Sequence, residues 1–255
     1  MWTSSSSAAF LHEPEIVLTL YHAPGSFSAR VLWLLEELEA EYTIDIVGYP
    51  RADGSGADPR NPHPHGYTPA LSHDGMVVTE TGAIALYLTD LFPRSTLGVP
   101  VGDPLRARYL TWLFYQVGLT EPLVYMKGHR MLAQDASMSH LNDAMMRHIE
   151  DTLAQEGPYV LGARFTAVDI LYMSLFEQAR PLLDDPTALD AYLARADRRI
   201  RGHQYRYWRG LRFRDRHHPG RYGRHADFRR PCRAARGRVG ESQVCGACRC
   251  EDFAA

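Results

Sequence analysis

A chain of 255 residues with 45% hydrophobic side chains is long enough to bury a sizeable core, which excludes a fibrous or wholly unfolded protein. No stretch approaches the roughly 18 consecutive apolar residues of a membrane span, and MWTSSSSAAFLHEPEIV lacks the basic and apolar regions of an export signal, so a cytoplasmic protein that engages no membrane is expected. The formal net charge of −2 conceals two unlike parts: 11 basic and 24 acidic residues precede Arg195, whereas 17 basic and 6 acidic residues lie from Arg195 onward.

Residues 1–14 form a Ser-rich leader, expected to be disordered, and Glu15 to Tyr21 (EIVLTLY) is an apolar run of strand length that enters a His-Ala-Pro-Gly turn. From Ser28, SARVLWLLEELEAEY places Val31, Leu34, Leu35 and Leu38 at helical spacing with acids on the other face, and YTIDIV returns to strand alternation. The three elements make a βαβ unit, so their strands should be parallel with a right-handed crossover. After the irregular stretch PRADGSGADPRNPHPHGY, the segment TPALSHDGMVVTE reads as two short strands around an Asp-Gly turn. Thr79 or Glu80 then opens a helix, TETGAIALYLTDLF, that ends at Pro93.

Beyond PRSTLGVPVGDP every remaining patterned segment is helical in period: DPLRARYLTWLFYQVGLTEPLVYMKGHRML, SMSHLNDAMMRHIEDTLAQ, TAVDILYMSLFEQARPLL and PTALDAYLARA. Thr166-Ala167-Val168-Asp169 has the spacing of a capping box, with aspartate in place of the usual Glu or Gln, so these two residues are read as structural. Periodicity stops near Ala196. Residues 197–255 are Arg-, His- and Gly-rich, too poor in aliphatic residues to build a core, and expected to be disordered.

Ser26 is placed where the first strand ends and the first helix begins, so its hydroxyl can face a ligand held at the positive end of that helix. The plain alternative is a helix cap, since Ser26 and Ser28 both precede the helix.

Four segments, LYHAPGSFSARVLWLLEEL, NP…GYTPAL, ETGAIALYL and GARFTAVDI, resemble the soluble glutathione transferase superfamily over about residues 16–196. The resemblance implies a thioredoxin-like, glutathione-binding α/β domain over 15–93, an all-α domain over 103–196, glutathione as co-substrate without a metal, and a homodimer. In the serine-dependent, bacterial-type members a P-x-S-x-x-x-R pattern carries the catalytic serine, and Pro24 to Arg30 reproduces it with Ser26 in that place. Such a hydroxyl favours the thiolate: a free thiol with a pKa of about 8.5 is only about 3% ionised at pH 7, and lowering it by about two units makes it mostly thiolate. Ser28 and Tyr21 stand as alternates, while Phe27 lies near the place of the cysteine that some relatives use.

The resemblance also implies a cis Thr68-Pro69 bond that turns the Thr68 backbone toward the cysteinyl unit of glutathione. Thr81 and nearby N–H groups would hold the γ-glutamyl carboxylate and Glu80 its ammonium, because that end of glutathione is a zwitterion. The chain departs from the pattern at Tyr67, where many relatives carry a basic residue for the glycine carboxylate; His63, His65 or Arg60 could substitute. The second substrate, a small electrophile, would face Tyr109, Trp112, Tyr115 and Gln116 on the first long helix of the α domain, several of which must instead be core.

The functional expectation is therefore a glutathione transferase. Its alternatives are a glutathione-dependent peroxidase or disulfide reductase, and a noncatalytic glutathione- or partner-binding module on the same fold. All four cysteines, Cys232, Cys245, Cys248 and Cys250, fall in the tail, so no disulfide staples the body. Zinc and nucleic acid are weak readings of that tail, because no second ligand pair stands at regular spacing and arginine density alone binds phosphate nonspecifically. Out-of-frame translation of a GC-rich gene after Ala196 explains its composition more plainly.

Overall fold

The computed structural model of the chain describes residues 17–50, 55–185, 187, 189–196, 198 and 199. The leader and the cysteine- and arginine-rich tail, with the zinc, nucleic-acid and disorder readings attached to them, lie outside the described residues.

Four strands, β1 (Leu18–His22), β2 (Tyr42–Ile46), β3 (Ala70–His73) and β4 (Met76–Thr79), form one mixed sheet in the order β2-β1-β3-β4. β2 lies parallel to β1 across the helix α1 (Ser28–Glu37), as the βαβ pattern requires, and β3 and β4 run antiparallel. The β3–β4 hairpin turns through Asp74 and Gly75, both at positive φ (48° and 84°), which is the conformation that an Asp-Gly pair tolerates. Helix α2 (Thr81–Leu91) follows β4 directly. This is the thioredoxin-like arrangement, and alternate residues of β1, Leu18, Leu20 and His22, are buried on one face.

The remaining elements are helical: α3 (Arg106–Tyr115), α4 (Glu121–Gly128), α5 (Ala136–Glu156) and α6 (Ala167–Ala179), with residues 189–196 helical again. Where the periodicity suggests one continuous helix from 103 to 132, a π-helical turn, Gln116–Thr120, separates α3 from α4. Pro122 at the start of α4 has no N–H to donate one turn back, so the regular ladder must break before it. That turn presses Val117 against α2 so closely that a Cβ at Gly82 would lie 3.2 Å from both Val117 methyl groups. The glycine of ETGAIALYL is thus a packing requirement between the sheet half and the helical half.

Helix α6 is the buried axis of the helical half, with Ala167, Val168, Ile170, Tyr172, Met173 and Phe176 at 1% exposure or less. The capping box at its start forms as the spacing predicts: Asp169 accepts from the Thr166 N–H at 2.8 Å and the Thr166 hydroxyl at 3.2 Å. Asp169 also accepts from the Val160 N–H and the Tyr192 hydroxyl, each at 3.0 Å, which ties the last helical stretch to the core. Burial pushes its carboxyl up to about 6 despite these donors. α1 packs against α2 and α6. From α1, the buried Arg30 reaches across to Glu121 of α4 at 2.6 Å. Among the described residues no helix is long and apolar enough to cross a membrane.

Candidate functional site

Between β1 and α1 the chain makes a tight turn, Ala23-Pro24-Gly25-Ser26, closed by the Ser26 N–H donating to the Ala23 carbonyl at 3.1 Å. Proline second and glycine third, with Gly25 at φ 81°, is the composition of a type II turn. The turn leaves the Ser26 side chain half-buried at the entrance to α1.

The Ser26 hydroxyl oxygen lies 2.8 Å from the Ala23 carbonyl, 2.6 Å from the Ser28 hydroxyl and 2.8 Å from the Thr68 hydroxyl. Ser26 and Thr68 are 42 residues apart in sequence, and the pairing of β3 against β1 is what brings them together. As a helix cap Ser26 does little: among the described residues its one backbone donor is the Ser28 N–H at 3.3 Å, and no side chain caps α1, whose N-cap residue is Phe27.

Ser28 is fully enclosed, and its hydroxyl meets His22 Nδ1 at 2.7 Å and the Ala23 N–H at 3.3 Å. His22 is itself buried at the end of β1, and that burial lowers its pKa to about 4, so the imidazole is neutral at pH 7. Tyr21, one residue earlier, belongs to the opposite face of the sheet by strand alternation and is not hydrogen-bonded to this cluster. His22 has no obvious motif in the sequence. Its signal is the two-residue alternation of β1 together with the turn that folds Ser28 back onto it.

The Thr68–Pro69 peptide is cis, in agreement with the resemblance, and leads into β3. At the start of α2, Glu80 holds φ 66° and ψ 125°, an unfavourable conformation for a residue with a Cβ, and no side chain caps the helix. Thr81 is the first helical residue and is partly exposed. The first-turn N–H groups of α2 therefore form an anion-attracting end beside an exposed carboxylate.

His63 closes this side of the site. Its Nδ1 accepts the His65 backbone N–H at 3.1 Å, which leaves the proton of the neutral ring on Nε2, 3.7 Å from the Glu80 carboxylate. Arg60 is committed elsewhere, bonded to Asp58, Asp45 and the Ile46 carbonyl, and so braces the loop against β2. Tyr67 is exposed, its ring tilted against Tyr49 and edge-on to His63.

Of the residues read as facing a second substrate, Tyr109 is wholly enclosed with its hydroxyl 3.2 Å from Thr89, and Gln116 is enclosed and donates to Glu121 at 3.1 Å. Trp112 is buried, stacked on His148 with ring centroids 5.0 Å apart. Only Tyr115 keeps partial exposure. Aromatic residues at turn spacing here serve the core first, as such stripes usually do. Among the described residues no cluster of His, Cys, Asp or Glu could hold a metal ion.

Residues 16–90, which contain this site, match the model of the glutathione S-transferase N-terminal domain. Protein LigF of a Sphingobium species is 35% identical over 99 residues, which is 38% of either chain, so the match spans well under half of that relative. The disulfide-bond oxidoreductase YfcG of Escherichia coli is 25% identical over 167 residues, covering 60% of this chain and 76% of that one. Among solved structures, a glutathione transferase from Methylococcus capsulatus superimposes with a TM-score of 0.60 at 26% identity, over 75% of this chain and 98% of the other. The matched domain thus stands at the N-terminal end, and the two-part fold that extends through the helical half is similar to that of a solved glutathione transferase.

Proposed function

We propose that the chain is a glutathione transferase in which the Ser26 hydroxyl donates to the glutathione sulfur and stabilises it as a thiolate. The observation that carries this reading is the position of Ser26: a half-exposed hydroxyl at the entrance to α1, within 2.8 Å of Thr68 at the cis peptide, while Ser28 is closed off behind it. In this reading the Thr68 backbone beside Pro69 pairs with the cysteinyl unit. The first turn of α2 with Thr81 holds the γ-glutamyl carboxylate, and Glu80 takes the ammonium. The thiolate then attacks a small electrophile, forming a carbon–sulfur bond as the leaving group departs with its electron pair or an acceptor double bond takes up a proton. Two copies associating as in many relatives complete the proposal, with the elution volume of the purified chain as its check.

The test is a titration of bound glutathione, following the ultraviolet absorbance of the thiolate against pH in the native chain and in Ser26→Ala. A bound thiol with its pKa about two units below the free value of about 8.5, and loss of that shift in the variant, is the expected result. The corresponding loss at pH 7 is about 25-fold in thiolate. Binding with no shift in either protein points to a noncatalytic module.

A second reading is favoured by the similarity to YfcG, a disulfide-bond oxidoreductase. The same thiolate would attack a disulfide, forming a mixed disulfide and releasing a thiolate. Turnover of a small dialkyl disulfide exceeding that of an activated aryl halide selects this reading over conjugation.

A further inference from the structure

His22 is a buried histidine to which the proposed thiol chemistry gives no role. We propose that His22 is a positioning residue that orders the Ser28 and Ser26 hydroxyls into one directed chain and so aims the Ser26 proton at the glutathione sulfur. The proposal rests on the reading of Ser26 as the thiolate donor.

Each hydroxyl has one proton to give, and the Ser26 oxygen has three oxygen neighbours within 2.8 Å that could take it. The Ala23 carbonyl can only accept, whereas Ser28 and Thr68 can give or take. For Ser26 to spend its proton on a thiolate, Ser28 must donate to Ser26 rather than receive from it. Ser28 can do this when its own lone pairs are filled from behind, where it meets the Ala23 N–H at 3.3 Å and His22 Nδ1 at 2.7 Å; the Ala23 carbonyl, an acceptor only, lies farther off at 3.4 Å.

If Nδ1 carries the imidazole proton, the chain reads His22 to Ser28 to Ser26 to sulfur, with every link a donor followed by an acceptor. If Nε2 carries it, Nδ1 takes the Ser28 proton, and the Ser26 proton is drawn inward across the 2.6 Å contact. Which nitrogen is protonated therefore decides whether Ser26 faces the ligand as donor. The low basicity of His22 fits this role and not that of a proton acceptor: burial holds it neutral well below neutral pH, so it gives a hydrogen bond without taking the thiol proton.

The experiment uses the full chain and the bound-thiol titration, with His22→Leu, His22→Asn, Ser28→Ala and Ser26→Ala. His22→Leu and Ser28→Ala should each lower the thiolate fraction at neutral pH about tenfold, lower kcat in proportion, and leave KM for glutathione within about twofold. His22→Asn sets an amide N–H where Nδ1 stood and should recover most of the loss, which a merely structural role does not predict. The double variant of His22→Leu with Ser28→Ala should be no worse than either single one, because both cut the same chain. If His22→Leu does not fold, His22→Asn and Ser28→Ala decide alone. Ser28→Ala titrating like the native chain while Ser26→Ala loses the shift overturns the proposal and leaves Ser26 in place. Ser26→Ala titrating like the native chain removes the reading beneath it.

Discussion

Asp169 at the start of α6 and Ser26 at the start of α1 are both side-chain oxygen centres at a helix N-terminus, and their surroundings are opposite in kind. Asp169 has no exposed surface and receives two backbone N–H groups and two hydroxyls, all of them donors to one carboxylate. Ser26 is half-buried, and its closest neighbours are three oxygens, so its proton has several places to go. A centre whose every neighbour donates fixes the fold. A centre with one proton and several claimants leaves a direction to be set by a ligand. The chain thus keeps its saturated network in the helical half and its unsaturated one beneath the glutathione-binding surface proposed for the sheet half.

The largest expected effect comes from breaking the saturated centre. Asp169→Ala strands the Thr166 and Val160 N–H groups and the Tyr192 hydroxyl in the core and frees the last helical stretch from α6. Stranded buried donors cost about 1–3 kcal/mol each, so a loss of about 5 kcal/mol in urea unfolding is expected. Ser26→Ala, whose neighbours can re-pair among themselves, should cost less than about 1 kcal/mol. Equal losses in the two variants would erase the contrast.

Arg30 offers an intermediate case, a buried cation with one good partner. Glu121 receives its Nη1 at 2.6 Å, while Arg30 Nε and Nη2 and the Gln116 Oε1 are buried with no hydrogen-bond partner among the described residues. Burial pulls the guanidinium below its ordinary pKa, and Glu121 draws it back up. Glu121→Gln leaves the charge in place without its counterion, and about 4 kcal/mol of stability should go with it. Replacing both, Arg30→Met with Glu121→Leu, should recover most of that loss in the same unfolding experiment, because no charge then remains to be desolvated.

The contrast also appears as opposite slopes against pH. His22 titrates at about 4 in the folded chain, below its unfolded value of about 6.5, so the stability it contributes is present above 6.5 and lost as pH falls toward 4. Asp169 titrates at about 6, above its unfolded value of about 3.9, so its contribution is full below 3.9 and lost as pH rises through 6. Each window spans about two units, or about 3 kcal/mol. The two trends oppose each other between pH 4 and 6. His22→Leu removes one of them, and its unfolding midpoint should then rise, relative to the native chain, as pH falls across that window.

Much of this arrangement is legible in the sequence, and the parts that are not share a physical reason. The Pro24-Gly25 turn, the Asp74-Gly75 hairpin and the Thr166–Asp169 box are local devices, readable because a few adjacent residues carry the whole conformation. The break at Gln116–Thr120 is hidden because the apolar period runs on through Pro122. The burial of Tyr109 and Gln116 is hidden because an aromatic stripe does not reveal which neighbour covers it. Arg30 is legible only as the end of the P-x-S-x-x-x-R pattern until α4 supplies Glu121, and Arg60 reads as available until Asp45 and Asp58 close on it. His22 becomes meaningful only when the face of β1 and the returning turn are known together. Pairings across the fold need coordinates.

The smallest effect sharpens the comparison at the ligand itself. Glu80 stands at φ 66° with its side chain 78% exposed, so the fold gains little from the carboxylate and bears the conformational cost of a Cβ at positive φ. Such a residue costs about 1–3 kcal/mol, and glycine removes that cost while returning part of it as unfolded-chain entropy, about 0.4–1 kcal/mol. Glu80→Gly should therefore raise stability by about 1 kcal/mol in thermal unfolding. The same change deletes the group proposed to hold the glutathione ammonium, so affinity for glutathione, measured by calorimetry, should fall about tenfold, while an analogue lacking that amino group should bind both proteins alike. A more stable chain with undiminished affinity would mean that the unfavourable backbone serves something other than the ammonium, and a less stable one would mean that Glu80 is held by the fold for the sake of His63.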